Sequence, residues 1–432
     1  MRRIFFVDDE QRVVDGLRRM LRAMRDEWEM SFFGSGPAAL DGMSDLSPDI
    51  VVSDMRMTGM NGAEFLDEVR RRHPGTARLI LSGQCDRAAV LDAAGAAHQF
   101  ISKPCSAETL RNTIGRIFEV QDQLANAEIR TAVSRLQGLP IPENHLRKLA
   151  DVFARPQASD AALIKIVHDD FALFSKCLQL VGCGFLGTQL DAIHPREIAL
   201  AVGADTIRSI ALEKSIFPTL PAGSILEAAA GFFQRISRAT AETARRIAAE
   251  ENAEDRIQHL AELGGYLARL GVAVLAAIDP AKYIQIWRLS IHQRIPKMDL
   301  EMRFYGVHRS DVGAYLLGLW GVPSQLVGIV RNTPWPRRAA EHAFSPLTAV
   351  HAACHLVEES APELLCPNHS LDVSYLEDVG VLSKLERWRE IARSVMEELE
   401  IAPGVRRFTE KFMSPIPAEL PAGWSLQEEL PL

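Results

Sequence analysis

Over its first 120 residues the chain repeats one pattern: a short apolar run stops at a polar side chain, and a helical stretch follows. Ile4 to Val7 stops at Asp8 and Asp9, after which Val13, Val14, Leu17, Met20, Leu21 and Met24 recur at helical spacing. Met30 to Phe33 is a second run. Ile50 to Ser53 stops at Asp54, Leu79 to Leu81 at Ser82 and Gly83, and Phe100 to Ser102 at Lys103 and Pro104. Short apolar runs without alternation read as strands buried on both faces, and parallel neighbours need a helical crossover between them. The pattern therefore predicts a doubly wound parallel sheet, roughly (βα)5. Such sheets take ligands just outside the carboxyl ends of their strands, so Asp8, Asp9, Asp54, Ser82 and Lys103 should face one crevice.

The chemistry of that set is specific. Clustered carboxylates repel unless a cation joins them, and oxygen donors suit Mg²⁺. Lys103 adds a positive charge for a transferring phosphoryl group, Ser82 adds a hydroxyl donor, and an aspartate can attack phosphorus. The segment Asp54-Met55-Arg56-Met57-Thr58-Gly59-Met60-Asn61-Gly62, with Ser82-Gly83 and Lys103-Pro104, resembles a response-regulator receiver domain, a flavodoxin-like fold spanning residues 1–120. The resemblance implies that Asp54 is the phospho-acceptor. It also implies that Asp9 and Asp54 bind Mg²⁺ directly, with Asp8 helping and the backbone carbonyl of Arg56 as a further ligand. Ser82 would turn toward the phosphoryl group, Phe100 would be the switch aromatic, and Lys103 would pair with the phosphoryl oxygens. A histidine kinase or phosphotransfer protein would be the donor, and a homodimer is a further expectation. The family usually has proline where this chain has Thr58, and Lys103-Pro104 matches its cis peptide.

Residues 121–138 read as a helical linker. Leu110, Ile114, Ile117 and Leu124 keep a heptad-like spacing that Gln121 breaks, and Ile129, Val133 and Leu136 continue it in a shifted register. One long helix paired with another and an amphipathic helix packed on its own domain both fit. Gly138 to Pro142 ends it.

Beyond Pro142 strand signals nearly vanish. Leu163 to Val181, Ile193 to Leu212, Ala228 to Glu251, Ile257 to Ile278 and Asp311 to Trp320 carry helical periodicity. Residues 139–335 resemble an HDOD domain, the HD-related output module, through Leu139-Pro140-Ile141-Pro142, Ile166 to Asp170, Cys177 to Leu180, Phe185 to Gly187, Glu197 to Leu200, Val307 to Gly313 and Trp320 to Pro323. Residues 336–413 read as a helical extension and 414–432, rich in proline, as a flexible tail.

HD hydrolases hold metal with histidine and aspartate on helices. The matching positions here are Ala268 and Arg269, and neither is a ligand. His308 stands alone, with Asn332 and Thr333 at positions where related domains often carry histidines. His168-Asp169 lies in a helix where the pair is no ligand, and Gly265-Tyr266-Leu267 lacks the proline of a GYP signature. The expected output is therefore a catalytically degenerate domain that binds an unidentified protein, and the chain is not an enzyme. The alternative is a receiver-gated HD-type phosphohydrolase or cyclic-di-GMP phosphodiesterase. His351, Cys354, His355, Cys366 and His369 form a further possible metal cluster, set against an ordinary packed helix.

The formal charge of −8 and the lack of a basic recognition helix disfavour DNA binding. The apolar stretch Leu263 to Ile278 is interrupted by Arg269, and no run reaches the ~18 residues of a spanning helix. A cytoplasmic protein with free thiols, apart from membranes, is expected.

Overall fold

The structure, a computed structural model, describes residues 1–44, 46–83, 94–153, 159–182, 194–212, 216–220, 224–360 and 370–401. Five strands form one parallel sheet: β1 (Arg2–Val7), β2 (Trp28–Phe33), β3 (Ile50–Asp54), β4 (Ala77–Gly83) and β5 (Gln99–Lys103), in the order β2-β1-β3-β4-β5. The register pairs Ile4 with Ile50, Asp54 with Leu81, and Gly83 with Lys103, which brings the expected strand ends to one edge. Helices α1 (Gln11–Met20), α2 (Gly36–Gly42), α3 (Gly62–Arg72) and α4 (Ala107–Gln123) accompany the sheet. Ile4, Phe6, Ile50, Val51, Val52, Leu79 and Ile80 are buried almost completely, as strands covered on both faces require.

The linker is not one helix. Helix α4 ends at Gln123, and α5 (Ala127–Ser134) starts afresh after Asn126, whose side chain accepts from the Ile129 N–H at 3.1 Å. A cap of this kind satisfies a helix start, so Asn126 stops continuation where the heptad pattern already slips.

The rest is helical: α6 (Glu143–Phe153), α7 (Asp160–His168), α8 (Phe171–Gly182), α9 (Ile198–Val202), α10 (Ala204–Leu212), α11 (Ile225–Glu250), α12 (Asp255–Leu267), α13 (Leu270–Ile278), α14 (Pro280–Gln293), α15 (Lys297–Tyr305), α16 (Arg309–Leu319), α17 (Ser324–Asn332), α18 (Pro346–Glu359), α19 (Val373–Asp378) and α20 (Leu385–Glu398). A pair of two-residue strands, β6 (Ile141–Pro142) and β7 (Thr219–Leu220), is the one strand pairing described outside the large sheet. Gly203, with φ of +84°, separates α9 from α10 inside what reads as one periodic stretch. The segment Asp255–Ile278 is, contrary to expectation, long and apolar enough to cross a membrane, because Glu262 and Arg269 together do not lower its hydropathy far. Its most apolar window is 72% buried inside the fold, as in a core helix.

The two domains meet through α4, β5 and α5 on one side and α16 on the other. The Gln99 side chain on β5 donates to the carbonyls of Gly318 (3.1 Å) and Leu319 (3.0 Å) at the end of α16. Lys176 on α8 donates to the carbonyls of Ala94 and Gln137, and Gln179 to that of His98 at 3.1 Å. Arg78, buried in β4, ties in the end of α5 through the Ser134 carbonyl at 2.7 Å.

Candidate functional site

The strand ends gather as expected, though not as a closed set of ligands. The Lys103 ammonium reaches across from β5 and donates to Asp8 at 2.9 Å and to Asp54. Burial works against the charge on Lys103, but the two carboxylates outweigh it and raise its pKa. Asp54 also accepts from the Arg56 backbone N–H at 2.7 Å, and Asp8 from that of Glu10 at 3.0 Å. Ser82 is buried on β4 opposite Ser102, its hydroxyl donating to the Gly83 carbonyl at 3.3 Å, and Phe100 is buried on β5 opposite Ile80. The Lys103–Pro104 peptide is cis.

The loop after Asp54 is held from its far end. Asn61 starts α3 with a reciprocal capping box: its side chain accepts from the Glu64 N–H at 2.9 Å, and Glu64 accepts from the Asn61 N–H at 3.0 Å. A Cβ on Gly62 would lie 2.2 Å from the Asp54 carbonyl oxygen, so no larger residue lets α3 begin this close to β3.

Asp9 stands apart. Its Oδ2 accepts from both the backbone N–H and the hydroxyl of Thr58, each at 2.7 Å. The hydroxyl bond first, then the backbone bond, hold its pKa below the usual value. Among the described residues no group of three or more His, Cys, Asp or Glu is gathered as a metal site. Asp8, Asp9 and Asp54 offer only oxygen, as a hard cation requires. The Lys103 ammonium between Asp8 and Asp54 shows that the site takes positive charge. The donor chemistry thus fits Mg²⁺, while the arrangement places Asp9 on Thr58. The Thr58 contact was not legible in the sequence, where only the missing proline marked the position.

In the helical domain the degenerate positions are filled. Arg269, 7% exposed, donates to Thr240 at 2.7 Å and to the buried Glu358 at 3.0 Å. Nearby, fully buried Glu301 accepts from Arg309 and from the Tyr283 hydroxyl, both at 2.7 Å. His308 lies against the Trp335 ring, with centroids 4.6 Å apart. His351 donates through Nδ1 to the Thr333 carbonyl (2.8 Å) and accepts the Asp372 N–H (3.0 Å) through Nε2. Cys354 is buried, and burial pushes its thiol up to about 11. These residues are turned to separate partners, and Cys366 and His369 lie outside the described residues. His168 bonds to the Pro195 carbonyl, while Asp169 pairs with Lys165 and Arg238. Both line a cavity of about 510 Å³ that also contains Glu262, which burial raises to a pKa of about 7.

Family models match at residues 4–115, the response regulator receiver domain, and at residues 139–335, the HDOD domain. The hydrogenase transcriptional regulatory protein HoxA of Cupriavidus necator is 32% identical over 120 residues, 27% of this chain and 24% of that protein. The DNA-binding transcriptional regulator NtrC of Klebsiella pneumoniae is 29% identical over 142 residues, 31% of this chain and 29% of that one. The chain thus spans under a third of the length of these relatives. Among solved structures, the MmoQ response regulator of Methylococcus capsulatus aligns with a TM-score of 0.42 at 18% identity, over 58% of this chain and 97% of that one. The chain carries a response regulator receiver domain over residues 4–115, followed by an HDOD domain over residues 139–335.

Proposed function

We propose that Asp54 is phosphorylated by a histidine kinase or a phosphotransfer protein, and that the HDOD domain converts the modification into a change in protein binding. The observation that carries this reading is the Lys103 ammonium bridging Asp8 and Asp54 at the ends of three strands. An Asp54 oxygen attacks phosphorus, the bond from phosphorus to the donor's histidine nitrogen breaks, and an acyl phosphate forms. Lys103 then exchanges its bond to Asp54 for one to the phosphoryl oxygens, and the Ser82 hydroxyl turns toward the same group. Mg²⁺, held by Asp9 and Asp54 with Asp8 and the Arg56 carbonyl, would neutralise the phosphoryl charge.

The route outward is short. Strand β5 spans the two: Lys103 stands at its carboxyl end in the crevice, and Gln99, next to Phe100 at its amino end, holds the end of α16, so a shift of β5 as a unit reaches the domain contact. The coupling between two such sites is typically ~1–3 kcal/mol. The Arg269–Glu358 pair supports a binding role over hydrolysis, because a guanidinium at the ligand position opposes a metal. A cytoplasmic location and a phosphorylation-dependent homodimer belong to the same reading.

The test is twofold. Incubation with acetyl phosphate and Mg²⁺ should produce one acid-stable, base-labile phosphoprotein band in wild type and none in Asp54→Ala. Partner capture with Mg²⁺ and beryllofluoride should then change in wild type alone. Labelling that persists in Asp54→Ala removes Asp54 from the role. Identical partner sets in all forms remove the coupling.

A further inference from the structure

Asp9 is the exposed member of the carboxylate set, and one residue supplies two hydrogen bonds to its Oδ2. Both bonds, from the Thr58 N–H and the Thr58 hydroxyl, are 2.7 Å long and end on an ionised oxygen, the stronger class of hydrogen bond. Proline, usual at this position in receivers, has neither an N–H nor a hydroxyl. This chain therefore makes a contact that a proline at the same position excludes.

We infer that Thr58 is a latch on Asp9, holding that carboxylate off the cation site until Mg²⁺ displaces both bonds. Two independent observations support the competition. Both donors converge on Asp9 alone, although Asp8 and Asp54 lie in the same crevice and are engaged by Lys103 instead. And the three carboxylates are not gathered as a metal site in this arrangement. A cation that recruits Asp9 through Oδ2 competes with both bonds, so Mg²⁺ binds more weakly than it would without Thr58. The latch thereby sets the Mg²⁺ concentration at which the site becomes competent for phosphoryl transfer. This inference rests on the Mg²⁺-dependent reading of the Asp54 site and assigns Thr58 a positioning role.

The test is calorimetric titration of the full chain with MgCl₂, with no phosphodonor present. Thr58→Pro, which lacks both donors, should tighten the Mg²⁺ dissociation constant about tenfold, a value tempered by the solvent exposure of the pair. Thr58→Val, which keeps the N–H, should tighten it about threefold by the same reasoning, and Thr58→Ser should match wild type. Thermal melts in chelator establish that each variant is folded. If Thr58→Pro does not fold, Thr58→Val still decides, since unchanged or weaker binding in it overturns the latch. Equal affinity across the series means that Thr58 merely orients Asp9, and the latch fails while the Asp54 reading stands. If no form binds Mg²⁺, wild type included, both fail together.

Discussion

Gly318 on α16 faces Val120 on α4 at the junction of the two domains. A Cβ at Gly318 would sit 2.4 Å from Val120 Cγ2 and 2.8 Å from Cγ1, against 3.4 Å for ordinary contact. Gly318→Ala must therefore push the helices apart by about 1 Å or force Val120 from its rotamer, which costs ~1–3 kcal/mol. Alanine's better helix propensity offsets about 1 kcal/mol of this. Val120→Ala alone removes two buried methyl groups and costs about 1.6 kcal/mol. In the double variant the new methyl fills the vacated space. The interaction energy, double minus the two singles, should therefore be favourable by ~1–3 kcal/mol, and the propensity gain cancels from that difference. Guanidinium unfolding of the four proteins, followed by circular dichroism, measures it. A coupling within about 0.5 kcal/mol of zero would show that α4 and α16 are not in contact at this point, and the proposed coupling of the Asp54 crevice to the HDOD domain would lose one of its contacts.

Arg269→Ala should destabilise the HDOD domain by ~3–5 kcal/mol, because it leaves Glu358 buried without its guanidinium; a melting temperature unchanged from wild type would refute the pairing. Arg269→Lys should fall between, since one ammonium does not span Thr240 and Glu358 together. His98 is buried, accepts the Arg78 N–H at 3.0 Å, and has a pKa that burial and Arg78 press well below 6.5. The folded state thus holds it neutral while the unfolded chain protonates it. Stability from this group is present above pH 6.5 and falls by up to ~1.4 kcal/mol per pH unit below that value. The difference between wild type and His98→Gln, measured at pH 7 and pH 5.5, isolates the effect, and parallel pH profiles would contradict it.

The large sheet was legible because buried parallel strands leave a plain mark: Ile4 to Val7 and Ile50 to Ser53 have no polar face to confuse the pattern. The crevice followed, since strand ends in such a sheet have one place to go. What stayed hidden depends on distances between segments far apart in the chain. Gln99 looks like any polar residue before a strand, yet its amide reaches a helix 219 and 220 positions later. Thr58 carried a faint signal as a departure from proline, but nothing in its neighbours points to Asp9, 49 residues earlier. The break in the linker was not legible because apolar spacing persists across Asn126, where capping by one side chain restarts the helix. The strands β6 and β7 are two residues each, too short for any periodicity to register.

Gly271 and Gly313 give the HDOD domain a joint of an unusual kind. A Cβ on Gly271 would fall 1.8 Å from the Arg309 carbonyl oxygen, and one on Gly313 would fall 2.9 Å from the Gly271 nitrogen. Main chain there rests on main chain, with no side chain between α13 and α16 to act as a cushion. Side chains can change rotamer and absorb a small displacement, whereas abutting backbones cannot. Helix α16 is thus a stiff strut, gripped by the receiver at Gly318 and seated at its other end on the turn that follows Arg269. A push of a few tenths of an ångström at Gly318 would reach that turn almost undiminished, so the receiver contact and the buried Arg269–Glu358 pair lie on one stiff axis although neither touches the other.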